Sequence, residues 1–133
     1  MSDDADVEEA NARFYRAFEA LDLGAMERVW ARGEHVKCVH PGWPLLAGWS
    51  SVRASWESIF ANTAEIRFTL SDVRIVTAED AAWVTCVENI LSEVQGRLTV
   101  TSVVATNVFE RDLDGWRMVH HHASHVLAPP AAG

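Results

Sequence analysis

Apolar residues recur at three- and four-residue steps in the first half of the chain and at every second residue in the later half. Val7, Ala10, Phe14, Phe18 and Leu21 predict a first amphipathic helix, with acidic residues in its opening turn where the helix dipole favours them. Asp22 reads as the N-cap of a short second helix carrying Leu23, Met26, Val29 and Trp30. A third helix is predicted from Ser50 or Ser51, with Val52, Trp56, Ile59 and Phe60 as its apolar stripe. Between the second and third, His40-Pro41-Gly42-Trp43-Pro44-Leu45-Leu46-Ala47-Gly48-Trp49 holds two Pro and two Gly, which predicts a loop without regular structure.

After about residue 62 the period shortens. Ile66, Phe68 and Leu70 alternate with polar residues, and Val73 and Ile75 start a second short alternation. Ala81 to Leu91 and Arg97 to Glu110 are nearly continuous apolar and β-branched runs, bounded by turn signals at Gln95-Gly96 and Asp114-Gly115. A last strand runs from Trp116 to about Val126 and gives way to a Pro/Ala/Gly tail expected to fray. Helices followed by an antiparallel meander predict an α+β fold: a cone-shaped roll with three N-terminal helices packed on a strongly curved antiparallel sheet. Such a cone carries an apolar cavity at its mouth.

The chain has 133 residues, 49% hydrophobic and 23% charged, which fits one folded domain spanning 1–133 with its core at about 7–126. Eleven Lys+Arg against nineteen Asp+Glu leave a net charge of −8, an unfavourable balance for nucleic acid or anionic membrane. No apolar run is long enough for a spanning helix. The start Met1-Ser2-Asp3-Asp4-Ala5-Asp6 is acidic where a secretory signal is basic, so a cytoplasmic location is expected. Cys38 and Cys86 both lie in apolar runs and read as reduced core residues, with one buried disulfide as the alternative. Of six Trp, four (Trp30, Trp43, Trp49 and Trp56) crowd into one stretch. Trp30 and Trp56 fall on helical stripes that suit the core, whereas Trp43 and Trp49 sit on the Pro/Gly loop.

Three polar features carry candidate chemistry. In Trp116-Arg117-Met118-Val119-His120-His121-His122-Ala123-Ser124-His125, strict alternation places His120 and His122 on one face and His121 and His125 on the other. The first pair is assigned to the pocket. Two ligands without the spacing of a third do not make a zinc site, so neither a metal nor another cofactor is expected. Glu88, inside Val84-Thr85-Cys86-Val87-Glu88-Asn89-Ile90, is either an outward carboxylate or a desolvated one facing a cavity. Asn107, inside Ala105-Thr106-Asn107-Val108-Phe109, poses the same choice.

The order of elements, the Leu21-Asp22-Leu23-Gly24-Ala25 break and Asp114-Gly115-Trp116-Arg117-Met118-Val119-His120 resemble the nuclear transport factor 2-like superfamily, its SnoaL-like branch above all. The terminal strand is also similar to that of the calmodulin-dependent kinase association domain. The resemblance covers about residues 7–126. It implies the cone and its pocket, but not one activity, since this fold hosts isomerases, cyclases, dehydratases, hydrolases and binding modules. Set against the ketosteroid isomerases of the superfamily, the Tyr position falls on Phe14, with Tyr15 one residue off. The Asp-Pro base falls on His40-Pro41, and the late-strand acid falls near Asn107. The resemblance therefore implies a His where those enzymes hold their base, and a weakened donor pair. The arginines of the association-domain pocket fall near Glu88, Asn107 and Ala123, none of them basic.

Two functions are compatible with these residues. One is acid–base chemistry (isomerase, cyclase or hydrolase) on a small hydrophobic molecule. It takes His40 as base, Glu88 and Asn107 as orienting groups, and Tyr15, Trp30, Trp43, Trp49, Trp56, His120 and His122 lining the pocket. The alternative is a non-catalytic ligand-binding or dimerisation module. Both include a homodimer, because the two long strands are apolar at both parities.

Overall fold

A computed structural model describes residues 3–127. The Pro/Ala/Gly tail, and with it the ends of the expected 1–133 domain, lies outside them. Helices α1 (Asp3–Ala20), α2 (Leu23–Val29) and α3 (Trp49–Asn62) pack on a six-stranded sheet ordered β2-β1-β6-β5-β4-β3. The strands are β1 (Lys37–Val39), β2 (Leu46–Ala47), β3 (Glu65–Ala78), β4 (Ala81–Val94), β5 (Arg97–Asp112) and β6 (Gly115–His125). The sheet is curved and open, and the α+β architecture is the expected one.

Local chemistry accounts for the boundaries. Asp22 has extended backbone (φ −106°, ψ 102°) and its side chain accepts from the Ala25 N–H at 3.0 Å, capping α2. Gly48, at φ +87°, turns the chain into α3, which begins at Trp49. Both residues of the Gln95-Gly96 turn have positive φ, as the tightest hairpins require. The two alternations expected around residues 66–75 are one strand, β3, whose register slips between Ser71 and Arg74, with Asp72 at φ +51°.

Two expectations need correction. The Pro/Gly segment is not wholly irregular: Leu46-Ala47, beyond Pro44, pairs with β1 as a two-residue edge strand. The sheet is also not purely antiparallel, because β1 runs parallel to β6, with Lys37 opposite His120 and Val39 opposite His122. The intervening helices and meander supply the long crossover that a parallel pair needs.

The core lies between α1, α3 and the concave side of the sheet. Phe14, Phe18 and Trp56 meet edge to face, with ring centroids 4.9–6.0 Å apart. Cys38 and Cys86 are buried and unbonded, so no disulfide forms. No helix among the described residues is long and apolar enough to cross a membrane.

Candidate functional site

Alternation along β4 turns Ala82, Val84, Cys86 and Glu88 inward, and along β5 Val103, Ala105, Asn107 and Phe109. The strand period that buries the apolar members buries Glu88 and Asn107 with them. Glu88, 2% exposed, lines a cavity of about 330 Å³ between α1, α3 and the concave sheet. Its walls include Phe18, Ile59, Ile66, Ile90 and Val103; His40, Trp43, His121 and the rim residue His125 supply the rest of its character.

His40 directly follows β1, where the next residue, proline, disfavours helix. Pro41 and Gly42, with Gly42 at φ +82°, make a turn closed by the Trp43 N–H donating to the His40 carbonyl at 2.8 Å. The turn folds Trp43 back over the imidazole, rings 4.9 Å apart, while Trp56 lies edge-on beneath it at 4.7 Å. Trp43 stays 40% exposed at the mouth; His40 is 3% exposed. The Ser55 hydroxyl donates to the Val52 carbonyl (2.6 Å), so its oxygen accepts from His40 Nε2–H at 2.9 Å. The proton therefore sits on Nε2, and Nδ1 keeps its lone pair; the Cys38 sulfur lies 3.6 Å from Nε2 and 3.9 Å from Nδ1. Burial lowers the His40 pKa to about 4, so the ring is neutral at pH 7.

Behind Glu88 runs a chain of hydrogen bonds pointing one way. Asn107 Nδ2 donates to Asn11 Oδ1 (2.9 Å) and to the Tyr15 hydroxyl (3.1 Å), which leaves Oδ1 as an acceptor. His121 Nδ1 lies 2.6 Å from that oxygen and must carry its hydrogen. Tyr15 in turn donates to Glu88 Oε2 at 2.5 Å. The sequence of donors is His121, Asn107, Tyr15, ending on the carboxylate, with the Cys86 thiol 3.5 Å from the Tyr15 hydroxyl. Burial pushes the Glu88 pKa up to about 7, against the pull of the Tyr15 hydrogen bond. The Tyr15 phenol is driven far upward by burial and the adjacent carboxylate, so it stays a donor. His121 is held well below the usual imidazole range by burial and remains neutral, its Nε2 without a hydrogen bond among the described residues.

The structure brings together only some of the residues expected from the sequence. His40, Glu88 and Trp43 line the cavity; Asn107 and Tyr15 stand behind it and orient the lining groups. Trp56 is the floor under His40. Trp30 and Trp49 lie against each other at 6.1 Å, away from the cavity, and Trp30 bridges to Met118. His120 and His122 fall on the outer face; His121 takes the inward place, with Ala123 and His125 on its side. The cause is a register shift between Val108 and Phe109: Val108 opposes His120 while Phe109 opposes Met118. Val119 is the extra residue, and it moves the buried parity from Trp116 and Met118 to His121 and Ala123. The consecutive apolar pair Met118-Val119 is the one trace of this in the sequence. Sequence reasoning also missed Ser55, which fixes the His40 tautomer. Among the described residues, no three His, Cys, Asp or Glu side chains are placed to hold a metal ion.

A curved open sheet closed by three helices, with polar groups grouped in an apolar cavity, defines the class: a SnoaL-like, nuclear transport factor 2-like pocket fold. The chain belongs to the SnoaL-like domain family, whose family model matches residues 7–129. A candidate dehydratase of the nuclear transport factor 2-like family from Streptomyces avermitilis is 46% identical, covering 95% of this chain and 97% of its own, with a TM-score of 0.89. A candidate calcium/calmodulin-dependent protein kinase type II association domain from Thiobacillus denitrificans is 38% identical, covering 90% and 94%, with a TM-score of 0.80. F-box protein SKIP8 of Arabidopsis thaliana is 34% identical over 119 residues, 88% of this chain and 48% of its own. The chain thus spans about half the length of that curated relative.

Proposed function

We propose that this chain is a proton-transfer enzyme acting on a small, largely apolar molecule, with Glu88 as the group that takes and returns the proton. The observation that carries the reading is a carboxyl buried against the cavity, pushed up to about 7 and fastened by Tyr15. A base works best when its pKa lies near the working pH. His40, lowered to about 4, is the weaker base, and its role is that of a neutral acceptor that orients a substrate hydroxyl through Nδ1. His121 Nε2 offers a second acceptor.

The Tyr15 hydroxyl is committed to Glu88, so it is not available to stabilise an enolate as a ketosteroid isomerase requires. A concerted elimination of water asks less of the site, because the electron pair released at carbon passes into the new double bond and no enolate has to be held. Glu88 removes a carbon-bound proton, the electron pair forms the double bond, and the carbon–oxygen bond breaks. The departing hydroxide takes the proton back from Glu88 and leaves as water. The 46% identity to a candidate dehydratase supports this choice. A panel of β-hydroxy carbonyl compounds followed by proton NMR in D2O tests it. Expected is loss of the hydroxyl-bearing signal with an ascending limb near pH 7, absent in Glu88→Gln and retained in part in His40→Gln. Turnover that survives Glu88→Gln undiminished contradicts the proposal.

The same molecule is proposed to pair with a second copy through the convex side of the sheet. Trp83, Leu91, Leu98, Val100 and Val104 are exposed there, and Leu91 lies directly opposite Val100. No nucleic-acid or membrane partner is proposed, in keeping with the −8 charge.

A further inference from the structure

A further concavity of the molecule shares no residue with the cavity around Glu88. It has a volume of about 430 Å³ and lies between α1, α2 and β6. Arg13, Arg16, Arg28, Arg32 and Arg117 line it, five of the eleven cationic side chains of a chain whose net charge is −8. The floor is apolar, made by Ala17, Ala20, Ala25 and Val29.

The helix period explains the convergence. Arg13, Arg16, Ala17 and Ala20 share one side of α1, opposite Phe14 and Phe18, so two guanidinium groups stand on the same ridge. Like charges three residues apart on a helix repel. Arg28 sits in the last turn of α2, where the helix dipole favours a cation. The other four have no such reason to be there.

What sets this groove apart is that its unpaired cations converge. Elsewhere Arg53, Arg67, Arg74 and Arg111 each pair with a carboxylate, while Lys37 and Arg97 form no ion pair among the described residues and line no common concavity. In the groove Arg16 reaches Glu9 at 2.5 Å, and Arg117 donates to the Arg28 carbonyl. Arg13, Arg28 and Arg32 form no side-chain ion pair among the described residues. With nineteen acidic residues in the chain, three unneutralised guanidinium groups around one concave surface are what a bound anion would neutralise.

We infer that this groove is a binding site for a small molecule carrying a phosphate or diphosphate group, separate from the cavity. The planar guanidinium fork matches phosphate oxygens in pairs, which a set of single-point cations would not do. The Ala/Val floor takes the apolar or ring portion of the same molecule. The groove needs no participation from Glu88 or His40, so it stands whether or not the cavity is catalytic.

Inorganic pyrophosphate is the probe. Calorimetric titration of the full chain at low ionic strength is expected to give saturable binding to one site, weakening as salt rises to about 0.15 M. Arg13→Gln and Arg28→Gln are each expected to weaken it about tenfold, the loss of one charge-assisted hydrogen-bonding group. Arg97→Gln makes the same change of net charge far from the groove and is expected to leave binding as it was. Glu88→Gln is expected to leave it unchanged too. These arginines are exposed, so the variants should keep the wild-type Tm. No saturable binding overturns the inference. So does binding that Arg97→Gln reduces as much as Arg13→Gln does, or that survives the combined Arg13, Arg28 and Arg32 replacement.

Discussion

On their concave side β4 and β5 present Cys86, Glu88 and Asn107; on the convex side the same strands present Trp83, Leu91, Val100 and Val104. Among its apolar side chains the interior of this sheet carries a connected polar group, and among its polar ones the solvent side carries exposed hydrophobics, Val100 at 81% exposure. A monomer gains nothing from either placement. Buried polar groups cost several kcal/mol unless each finds a partner. The interior group meets that condition through the Asn11, Asn107, Tyr15, Glu88 and His121 hydrogen bonds. The convex face has no partner within one chain. The two faces of one pair of strands thus bear separately on the two proposals, the chemistry on the concave side and the self-association on the convex side.

The interior is where the largest effect is expected. Asn107→Leu keeps the branched shape but strands the Asn11 oxygen and the His121 ring nitrogen, and takes from the Tyr15 hydroxyl the donor it accepts. We expect a loss of about 4 kcal/mol, read as a shift of the urea midpoint with unchanged slope. An equal loss for a half-buried outer-face change such as Thr106→Leu would erase the distinction between the faces.

Val100→Glu tests the other side. In a dimer the new carboxylate is buried twice, opposite its symmetry mate or an apolar neighbour, and weakens association at least a hundredfold, about 3 kcal/mol. Light scattering is expected to show twice 14.8 kDa for the wild type and the single-chain mass for the variant, with secondary structure retained. A wild-type mass of one chain at micromolar concentration would leave the convex face without its proposed role.

Glu88→Gln gives a smaller effect and a sign. The carboxyl is protonated in both folded and unfolded chains below its ordinary 4.5, so nothing is lost there. As pH rises from 4.5 to about 7, the unfolded chain ionises while the folded one resists, and stability falls by about 3 kcal/mol before levelling. Gln keeps an acceptor for Tyr15 and removes the titration. The variant is expected to match the wild type near pH 4 and to exceed it in Tm near pH 8.5. His40 contributes in the opposite sense, since its depressed pKa makes stability fall as pH drops from 6.5 toward 4. Glu88→Gln should therefore leave the acid limb of the stability profile in place.

The architecture was legible because its signals are local and repeated: the 3.6-residue stripe of α1, the Asp22 cap, the alternation of β4 and the Gly96 turn. The site was legible in pieces. His40 before Pro41 marks a strand end, and Glu88 shares the parity of Val84 and Cys86. Which of the two faces was inward needed the helices in place, since both faces of β4 are apolar. The His121 position was hidden by one extra residue, Val119, that exchanges the faces of everything after it. A register slip of this kind is set by cross-strand pairing with β5, which sequence alternation alone does not encode. Tyr15 and Phe14 are both buried, and only the hydrogen bonds to Glu88 and Asn107 distinguish their roles.

The parallel pairing of β1 with β6 joins the early part of the chain to its last strand. Contacts between such distant segments form late, because the intervening loop must first be closed. In a chain emerging from synthesis, α1, β3, β4 and β5 can assemble Tyr15, Glu88 and Asn107 while His40 still lacks its place. The cavity gains its remaining wall only when β6 arrives, bringing His121 and the strand that β1 must lie against. The full set of cavity groups is thus withheld until the fold is complete.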